Sequence, residues 1–323
     1  MKKIVSLALI LMMLVGVTVG CSDDASDTGS SGEEKITIGA SLLTQSHPFQ
    51  VAIKDAMEQE AEDQNVDLTV AIADQDLNRQ ISDIEDFINR GVDVIVLTPV
   101  DSDGIQGAIR KANDANIPVV TVDVKANDVE VASHIATDNY AGGMIAAEAM
   151  AQLVGEEGNV GLITYPEVQS VRDRIDGFKE VAAKYPNMNI VVELPGRTRE
   201  EALTASQDML TSNPDLVGIF GFGDDMAIAA TNAVSEKDSD AVVVGFDGLE
   251  EARNKVSEDN AFDAVVVQYP EEMGSIGIQT AIKLANGEEV EKEIPITPGL
   301  FVEGQEFVDA SVEDGNVNVD LGQ

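Results

Sequence analysis

The sequence predicts an α/β protein built from two doubly wound, Rossmann-like lobes. From Lys35 onward, short aliphatic runs alternate with longer amphipathic runs, which is the pattern of βαβ units in a parallel sheet. The alternation occurs as two consecutive series along the chain. The stretch that follows residue 34 is about 290 residues long, which is enough for two domains of ordinary size.

The first series supplies four strands and three helices. Aliphatic runs predict strands at 36–43, 67–73, 92–98 and 117–122. Between these runs, apolar residues recur at helical spacing and predict helices at 47–64, 77–90 and 102–116.

The second series repeats the alternation. Its predicted strands are 159–164, 190–194, 216–222, 241–246 and 264–268, and its predicted helices are 139–154, 168–185, 199–211, 225–235 and 250–257. A further helix is predicted at 271–286. Periodicity alone leaves open which lobe that helix packs on.

The first 21 residues predict a secretory leader with a site for lipid attachment. Lys2 and Lys3 precede an apolar run that ends at Val19 and is shorter than the ~20 residues needed to span a bilayer. The run leads into Thr-Val-Gly-Cys at 18–21, which resembles a lipobox, although Thr18 stands where an aliphatic residue is usual. Cys21 is the only cysteine and therefore cannot form an internal disulfide. We expect acylation of Cys21 rather than ordinary secretory cleavage nearby, which would hold the protein outside the cytoplasm on a membrane.

Residues 22–34 are almost entirely Ser, Asp, Gly and Glu, and they predict a flexible acidic tether.

The whole chain is acidic, with 59 Asp and Glu against 20 Lys and Arg and a formal net charge of −39. Binding to the phosphates of nucleic acid needs a basic face. A nucleic-acid-binding protein is therefore not expected from a chain with so few Lys and Arg residues. Because the acidic residues are spread along the chain, a surface suited to high salt, and hence a saline habitat, is a hypothesis.

Polar side chains are concentrated just after the predicted strands. Ligands of open α/β sheets lie beyond the carboxyl ends of the strands, so a cleft between two such lobes is the expected binding site. The segments at these ends are 44–50, 74–76, 99–101, 123, 165–172, 195–197, 223–225, 247 and 268. Carboxylate, guanidinium and carboxamide groups suit vicinal hydroxyls, and aromatic faces suit the apolar side of a sugar ring.

Several strings in this order resemble the ribose-binding branch of the type I periplasmic sugar-binding proteins. They are HPF at 47–49, PVDSDGI at 99–105, IPVVTVD at 117–123, ASHIATDN at 132–139, VRDRIDGF at 171–178, DDMA at 224–227, VVGFDG at 243–248 and VVQYP at 266–270. The resemblance extends from about residue 35 to about residue 298. It implies three crossings between the lobes, near 137–138, 268–269 and 298, which together form a three-segment hinge. The implied lobes are residues 35–137 plus 269–297 and residues 138–268 plus 298–323.

The resemblance also implies a set of substrate contacts. Phe49, Asp123, Arg172, Asp247 and Gln268 match the contact residues of the ribose type. The sequence departs from that type at five positions, where it carries His47, Gln50, Val124, Arg197 and Gly223. The candidate contacts are therefore His47, Phe49, Gln50, Asp123, Arg172, Arg197, Phe222, Asp224, Asp247 and Gln268. Phe222 or Tyr165 could supply an aromatic wall, and the departures point to a polyol or an open sugar as well as a ribose-like ring.

Structural explanations compete with several of these assignments. His47 could cap the helix that follows it, Asp123 and Asp247 could be turn formers, and Gln268 could be only a hinge residue. His134 is expected to be structural. Arg174 is two residues beyond Arg172 on a helix and is expected to point elsewhere.

Neither a metal nor a cofactor is predicted. Asp74, Asp76, Asn78, Ile81 and Glu85 stand at calcium-loop positions, but Arg79 replaces the required glycine. The phosphate-loop pattern GxxxxGK[ST] does not occur in the sequence.

These observations predict an extracytoplasmic solute receptor that passes a monosaccharide or polyol to the permease and ATPase of an ABC importer. We expect it to act as a monomer. A receptor for chemotaxis or for a sensor kinase would use the same cleft and stays open as an alternative. An enzyme acting on sugars is disfavoured, because the strand ends offer no activated nucleophile.

Overall fold

The computed structural model describes residues 35–258, 260–304 and 307–321. The leader, Cys21 and the tether lie outside the described residues. Within them, the predicted α/β fold is confirmed: two lobes each contain a mostly parallel six-stranded sheet flanked by helices. None of the described helices combines the length and the apolar character needed to cross a bilayer.

The six strands of the first sheet are, in spatial order, Glu293–Ile296, Ser133–Thr137, Val119–Val122, Val94–Leu97, Thr37–Leu42 and Asp67–Ile72, and all their pairs are parallel. The elements of the first series are β1 (Thr37–Leu42), α1 (Pro48–Asp63), β2 (Asp67–Ile72), α2 (Leu77–Arg90), β3 (Val94–Leu97), α3 (Gln106–Asp114), β4 (Val119–Val122) and β5 (Ser133–Thr137). Strands β3, β4 and β5 are buried along their whole length, because helices cover both faces of the sheet.

The six strands of the second sheet are, in spatial order, Gly299–Val302, Phe262–Val267, Val242–Asp247, Leu216–Gly221, Glu157–Thr164 and Asn187–Pro195. The first of these lies at the edge and is antiparallel to its neighbour. Its series comprises α4 (Asn139–Val154), β6 (Glu157–Thr164), α5 (Gln169–Ala182), β7 (Asn187–Pro195), α6 (Arg199–Ser212), β8 (Leu216–Gly221), α7 (Asp224–Glu236), β9 (Val242–Asp247), α8 (Glu250–Val256) and β10 (Phe262–Val267).

The last part of the chain returns to both lobes. It contains α9 (Pro270–Ala285), β11 (Glu293–Ile296), β12 (Gly299–Val302) and the hairpin of β13 (Ala310–Glu313) and β14 (Asn316–Val319). Helix α9 packs on α1 and on strands of the first sheet, which answers the question that periodicity left open. The chain therefore passes between the sheets after β5, after β10 and after β11, and these three connections are called the first, second and third crossings below.

Strands β5 and β11 to β14 were not expected from the aliphatic runs. Strand β5 reads Ser-His-Ile-Ala-Thr, and it is wholly buried although three of its five residues are polar. Strand β11 contains Pro295, which an edge strand tolerates because one side of it needs no ladder hydrogen bonds.

Glycines bring α4 and α5 into unusually close contact. A Cβ atom on Gly143 would collide with the carbonyl oxygen of Arg174, and one on Gly177 would collide with the carbonyl oxygen of Tyr140. The backbones of the two helices therefore touch, which fixes the position of the first turns of α5 against the start of α4.

We expect Gly143→Ala to lower the free energy of unfolding by about 2 kcal/mol or more, because the added methyl must push two helix backbones apart. Gly107→Ala is the matched control, since a Cβ there meets nothing within 4 Å. The control should gain up to about 0.5 kcal/mol from better helix propensity. Urea denaturation of both variants measures the difference, and equal stabilities would contradict the close contact.

Candidate functional site

Two aspartates stand at corresponding strand ends of the two lobes. Asp123 follows β4 and Asp247 ends β9, and both are buried, with 8% and 7% of their surfaces exposed. Both have a positive φ, of 66° and 98°. A non-glycine residue in this region is strained, and such strain persists where the surrounding structure imposes it, commonly at functional sites.

Each of these carboxylates accepts a hydrogen bond from a buried glutamine. Gln50 Nε2 donates to Asp123 Oδ2 at 2.8 Å, and Gln268 Nε2 donates to Asp247 Oδ1 at 2.6 Å. The other amide atom, Oε1, has no hydrogen-bond partner among the described residues in either glutamine. A buried polar atom without a partner is costly, so each lobe presents an acceptor that suits a donor from a bound molecule. We call these the two Gln–Asp pairs.

The Asp247 carboxylate is also held by Arg174. Nη1 of Arg174 donates to Asp247 Oδ1 at 3.3 Å and to the carbonyl oxygen of Phe222 at 2.6 Å, and Nε donates to Asn139 Oδ1 at 2.8 Å. The guanidinium lies 3.9 Å from the centroid of the Phe246 ring. Arg174 is only 5% exposed, so this is a fully desolvated polar network.

The expectation that Arg174 points away from the site is wrong. The buried stripe of α5 runs through Ser170, Val171, Arg174 and Phe178, and Arg174 therefore faces the core of the second lobe. Arg172 lies beside this stripe and is partly buried. Its guanidinium donates to Gln169 Oε1, at 2.6 Å from Nη2, and to the carbonyl oxygen of Pro166. The structure thus places Arg172 against the first turn of α5 and the segment before it, outside the Arg174 network.

Asp224 connects two strand ends of the second lobe. Its carboxylate accepts the backbone N–H groups of Gly248 and Leu249, at 3.0 and 2.8 Å, while its own N–H donates to Asp247 Oδ2 at 3.3 Å. Burial, followed by the charge of Asp247, raises the pKa of Asp224 well above its usual value. Both oxygens of the Asp224 carboxylate accept backbone N–H groups of the two residues that follow Asp247. Asp224 therefore holds Asp247 and the turn after it in place.

Aromatic candidates are found in both lobes. Phe222 is 8% exposed, and its ring centroid lies 6.3 Å from that of Tyr165 in a tilted arrangement. Phe49 is buried in the hydrophobic cluster between α1, α9 and the first sheet. Tyr165 is partly exposed, so the Tyr165–Phe222 pair is the aromatic surface that the second lobe can offer to a ligand.

His47 and Arg197 have different surroundings. His47 precedes α1 without making a side-chain capping bond, and it is the last of the groups that act on the pKa of Asp123, which it lowers. Arg197 is exposed and pairs with Glu201 on α6, with 3.0 Å between Nη2 and Oε1. The structure therefore does not bring Arg197 together with the buried candidates.

Other titratable groups have structural partners. His134 is buried, its Nδ1 lies 2.9 Å from Thr121 Oγ1, and burial lowers its pKa to about 4. Asp76 caps α2 by accepting the N–H groups of Asn78 and Arg79. Within the described part of the chain, no group of three or more His, Cys, Asp or Glu side chains is arranged to hold a metal ion.

Asn139 and Arg174 are the members of this site that the sequence did not identify. Both were present in the quoted strings, at the end of ASHIATDN and within VRDRIDGF. Their involvement depends on the contact between α4 and α5, for which the only local signals are Gly143 and Gly177.

Comparison with known proteins gives one family and several close relatives. The model of the periplasmic binding protein domain matches residues 38–289. The ribose import binding protein of Bacillus subtilis is 33% identical over 298 residues, which cover 91% of this chain and 97% of that protein. The xylitol-binding protein of Mycolicibacterium smegmatis is 27% identical over 92% of this chain and 89% of that protein.

A solved structure shows the same fold. The structure of an ABC transporter solute-binding protein from Mycobacterium smegmatis with bound glycerol superposes with a TM-score of 0.79 at 35% identity. It covers 84% of this chain and 96% of that chain.

Titration of Asp123 is expected to affect stability. Burial is the largest cause that raises its pKa from 3.8 to about 6, and the charge of Arg174 opposes it. The folded protein thus binds this proton more tightly than the unfolded chain does. The contribution of Asp123 to the free energy of unfolding should therefore fall, by up to about 3 kcal/mol, as pH rises from about 4 to above about 6.

Urea denaturation across this pH range tests the expectation in Asp123→Asn. The variant should lose less stability on going from about pH 4 to about pH 7 than the unmodified protein does, because it cannot release the proton. Asp208→Asn, on the exposed face of α6, is the control and should keep the full dependence. An identical pH dependence in Asp123→Asn and the unmodified protein would contradict the assignment.

Proposed function

Because this chain belongs to the periplasmic binding protein family, in the ribose-binding branch of the type I sugar-binding proteins, we propose that it is an extracytoplasmic receptor for a monosaccharide or a polyol. The two lobes close around this ligand by bending at the crossings, and only the closed form lets both lobes contact it. The lobes are residues 35–137 plus 269–297 and residues 138–268 plus 298–323.

The two Gln–Asp pairs are the observation that carries this proposal. Each lobe contributes one buried carboxylate and one buried amide oxygen without a partner. Hydroxyl groups are donors that can satisfy such acceptors, and a molecule with hydroxyls on opposite edges can satisfy both pairs at once. An anionic ligand would instead place its charge beside buried carboxylates, which is unfavourable.

Substitutions relative to the ribose type bear on the class of ligand. Gln50 and Val124 are buried, so the first lobe carries an amide and an aliphatic group where the resemblance implies an aromatic ring and a guanidinium. Gly223 has no side chain, whereas the resemblance implies a side-chain amide at this position. The Tyr165–Phe222 pair keeps an aromatic surface, whereas Phe49 is buried in the core of the first lobe. Relatives are named for binding ribose and xylitol. We therefore place the ligand among ribose-like sugars and small polyols, with His47 and Arg172 as further donors at the edge of the site.

The sequence supports delivery of this ligand to a membrane importer. Cys21 and the acidic tether at 22–34 suit a lipid-anchored protein that reaches a permease from outside the membrane. Relatives include a ribose import binding protein and an ABC transporter solute-binding protein. We propose that the closed protein, as a monomer, docks on the permease subunits of an ABC importer and that no chemical step occurs in the cleft.

A thermal-shift screen of the whole chain against pentoses, hexoses, polyols and sugar acids tests the proposed ligand class. A neutral polyhydroxy compound at about one hundred times its Kd should raise Tm by about 5 °C or more, because it binds only the folded form. Sugar acids should give no shift. The Asp247→Asn variant serves as the control and should lose the response. Absence of any shift with every neutral carbohydrate would contradict the proposal.

Replacing the glutamines tests the site itself. Gln50→Met and Gln268→Met keep the shape of the side chain but remove the amide, so each should weaken binding of the best compound from the screen about 10- to 100-fold. Gln59→Met is the matched control, because Gln59 is exposed on the same helix as Gln50, and its affinity should be unchanged. Titration calorimetry measures all three. Unchanged affinity in both buried variants would remove the two pairs from the site.

A further inference from the structure

A cavity of about 190 Å³ lies beside the first crossing, on the far side of Asp123 from Gln50. Neither glutamine of the two Gln–Asp pairs lines it, and Asp247 does not line it either. Its polar wall comes from both lobes, and the members that matter below are Lys125, His134, Thr137, Ser170, Asp173 and Glu293. We call it the hinge cavity.

Carboxylates outnumber cations on the wall of the hinge cavity. Lys125 carries the one permanent positive charge there, and its Nζ lies 2.7 Å from Glu293 Oε1. Burial lowers the pKa of His134 to about 4, so this imidazole is neutral near pH 7. The three remaining carboxylates form no ion pair with any cation of the described chain, and they are Asp123, Asp138 and Asp173.

Asp173 is the carboxylate that the second lobe presents to this cavity. Its Oδ1 accepts a hydrogen bond from Gln169 Nε2 at 2.7 Å. Burial is the largest cause that raises the pKa of Asp173, and the charges of Arg172 and Lys125 act against it from a distance. The cost of burying this charge is therefore compensated only in part by the protein.

Two hydroxyl groups on the same wall lack hydrogen-bond partners among the described residues. Ser170, in the first turn of α5, is 7% exposed and its Oγ makes no hydrogen bond within the described chain. Thr137, at the end of β5, is 4% exposed and its Oγ1 has no partner there either. Buried hydroxyls are normally paired, so these oxygens suit a bound group.

The chemistry of the wall suits a small, singly charged cation. A polar cavity with uncompensated carboxylates and low-dielectric walls concentrates positive ions. Carboxylate, hydroxyl and water oxygens are the ligands that hard cations prefer. In the described residues, three or more His, Cys, Asp or Glu side chains do not converge as metal ligands, which disfavours a tightly held divalent ion. A monovalent ion needs less charge around it, and the cavity has room for several water molecules of about 30 Å³ each.

We propose that the hinge cavity binds an alkali-metal cation, Na⁺ or K⁺, with the Asp173 carboxylate and the Ser170 hydroxyl among its oxygen ligands. This site goes beyond the proposed function and does not depend on it. Two explanations compete with it: the ammonium of Lys125 serves these carboxylates without any ion, or salt acts on this acidic chain by screening alone.

Exchanging the cation of the buffer separates binding from screening. The melting temperature of the unmodified chain, without carbohydrate, is measured in NaCl, KCl and choline chloride at one ionic strength and at about pH 8, where Asp123 is ionised. Choline screens charge equally, but its methyl groups keep that charge away from the oxygens. The better alkali salt should raise Tm by about 3 °C or more over choline chloride, because the ion binds the folded form. Equal melting temperatures in the three salts would overturn the proposal.

Substitutions on the wall locate the effect. Asp173→Asn and Ser170→Ala should each lose about half or more of the difference between the alkali salt and choline chloride. Ser170→Ala also introduces a better helix former, so it is not expected to weaken the fold in choline chloride. Asp176→Asn removes the same charge from the exposed face of α5 and should keep the full difference. A full difference in both wall variants, or an equal loss in the control, would exclude the cavity as the site.

Hydrogen exchange in the unmodified chain gives a second location without any substitution. Amides at 138–141 and 170–174 should exchange about threefold more slowly or more in the better alkali salt than in choline chloride. The acidic segment 236–240, which lies away from the cavity wall, should exchange equally in both salts. Uniform slowing, or none, would overturn the proposal. Carbohydrate is absent from all these measurements, so a failure here leaves the thermal-shift test of the proposed function to be decided by itself.

Discussion

Three buried carboxylates around one buried guanidinium impose the constraint on which the rest of the site depends. Asp123, Asp224 and Asp247 all lie at strand ends with less than a tenth of their surfaces exposed, and Arg174 is the cation that acts on all three. One positive charge cannot balance three negative ones, so neutral donors must supply the remaining stabilisation. The protein provides them as the amides of Gln50 and Gln268 and the backbone N–H groups of Gly248 and Leu249. A ligand rich in hydroxyl donors would extend the same compensation.

The fold creates this constraint through the ends of its parallel strands. The carboxyl ends of β4 and β9 direct Asp123 and Asp247 into positive φ, and the ladder hydrogen bond from the Asp123 N–H to the carbonyl oxygen of Ile135 holds one of these turns. The contact between α4 and α5 then places the Arg174 guanidinium beside the Asp247 carboxylate. Strain at two strand ends is therefore maintained by packing elsewhere, which is the usual way a functional geometry persists.

The sequence predicted the periodic parts of the molecule and not the side-chain partners. Runs such as 94–97 and 119–122 are continuous aliphatic strands, and their pattern alone identified them. Strand β5 was not predicted because its residues Ser133, His134 and Thr137 are polar and typical of a loop. They are buried only because neighbouring strands cover them. The direction of the Arg174 side chain was predicted wrongly because it depends on which face of α5 packs against α4. That face is set by the close contacts at Gly143 and Gly177. The pairing of Arg197 with Glu201, a local contact at helical spacing, competes with any role in the cleft.

The position of one Gln–Asp pair in each lobe has a consequence for selectivity in the proposed function. A molecule that forms hydrogen bonds only with the pair in the first lobe leaves Gln268 Oε1 buried without a partner when the lobes close. Closure then adds little binding free energy for that molecule. Since a ligand shifts a conformational equilibrium only by its differential affinity for the two states, such a molecule would bind the open form without closing it. Discrimination would then act on closure rather than on first contact, and the distance between hydroxyl groups across the ligand would matter more than their number. The permease would be presented only with closed protein, so ligands that bridge both lobes are the ones selected for transport.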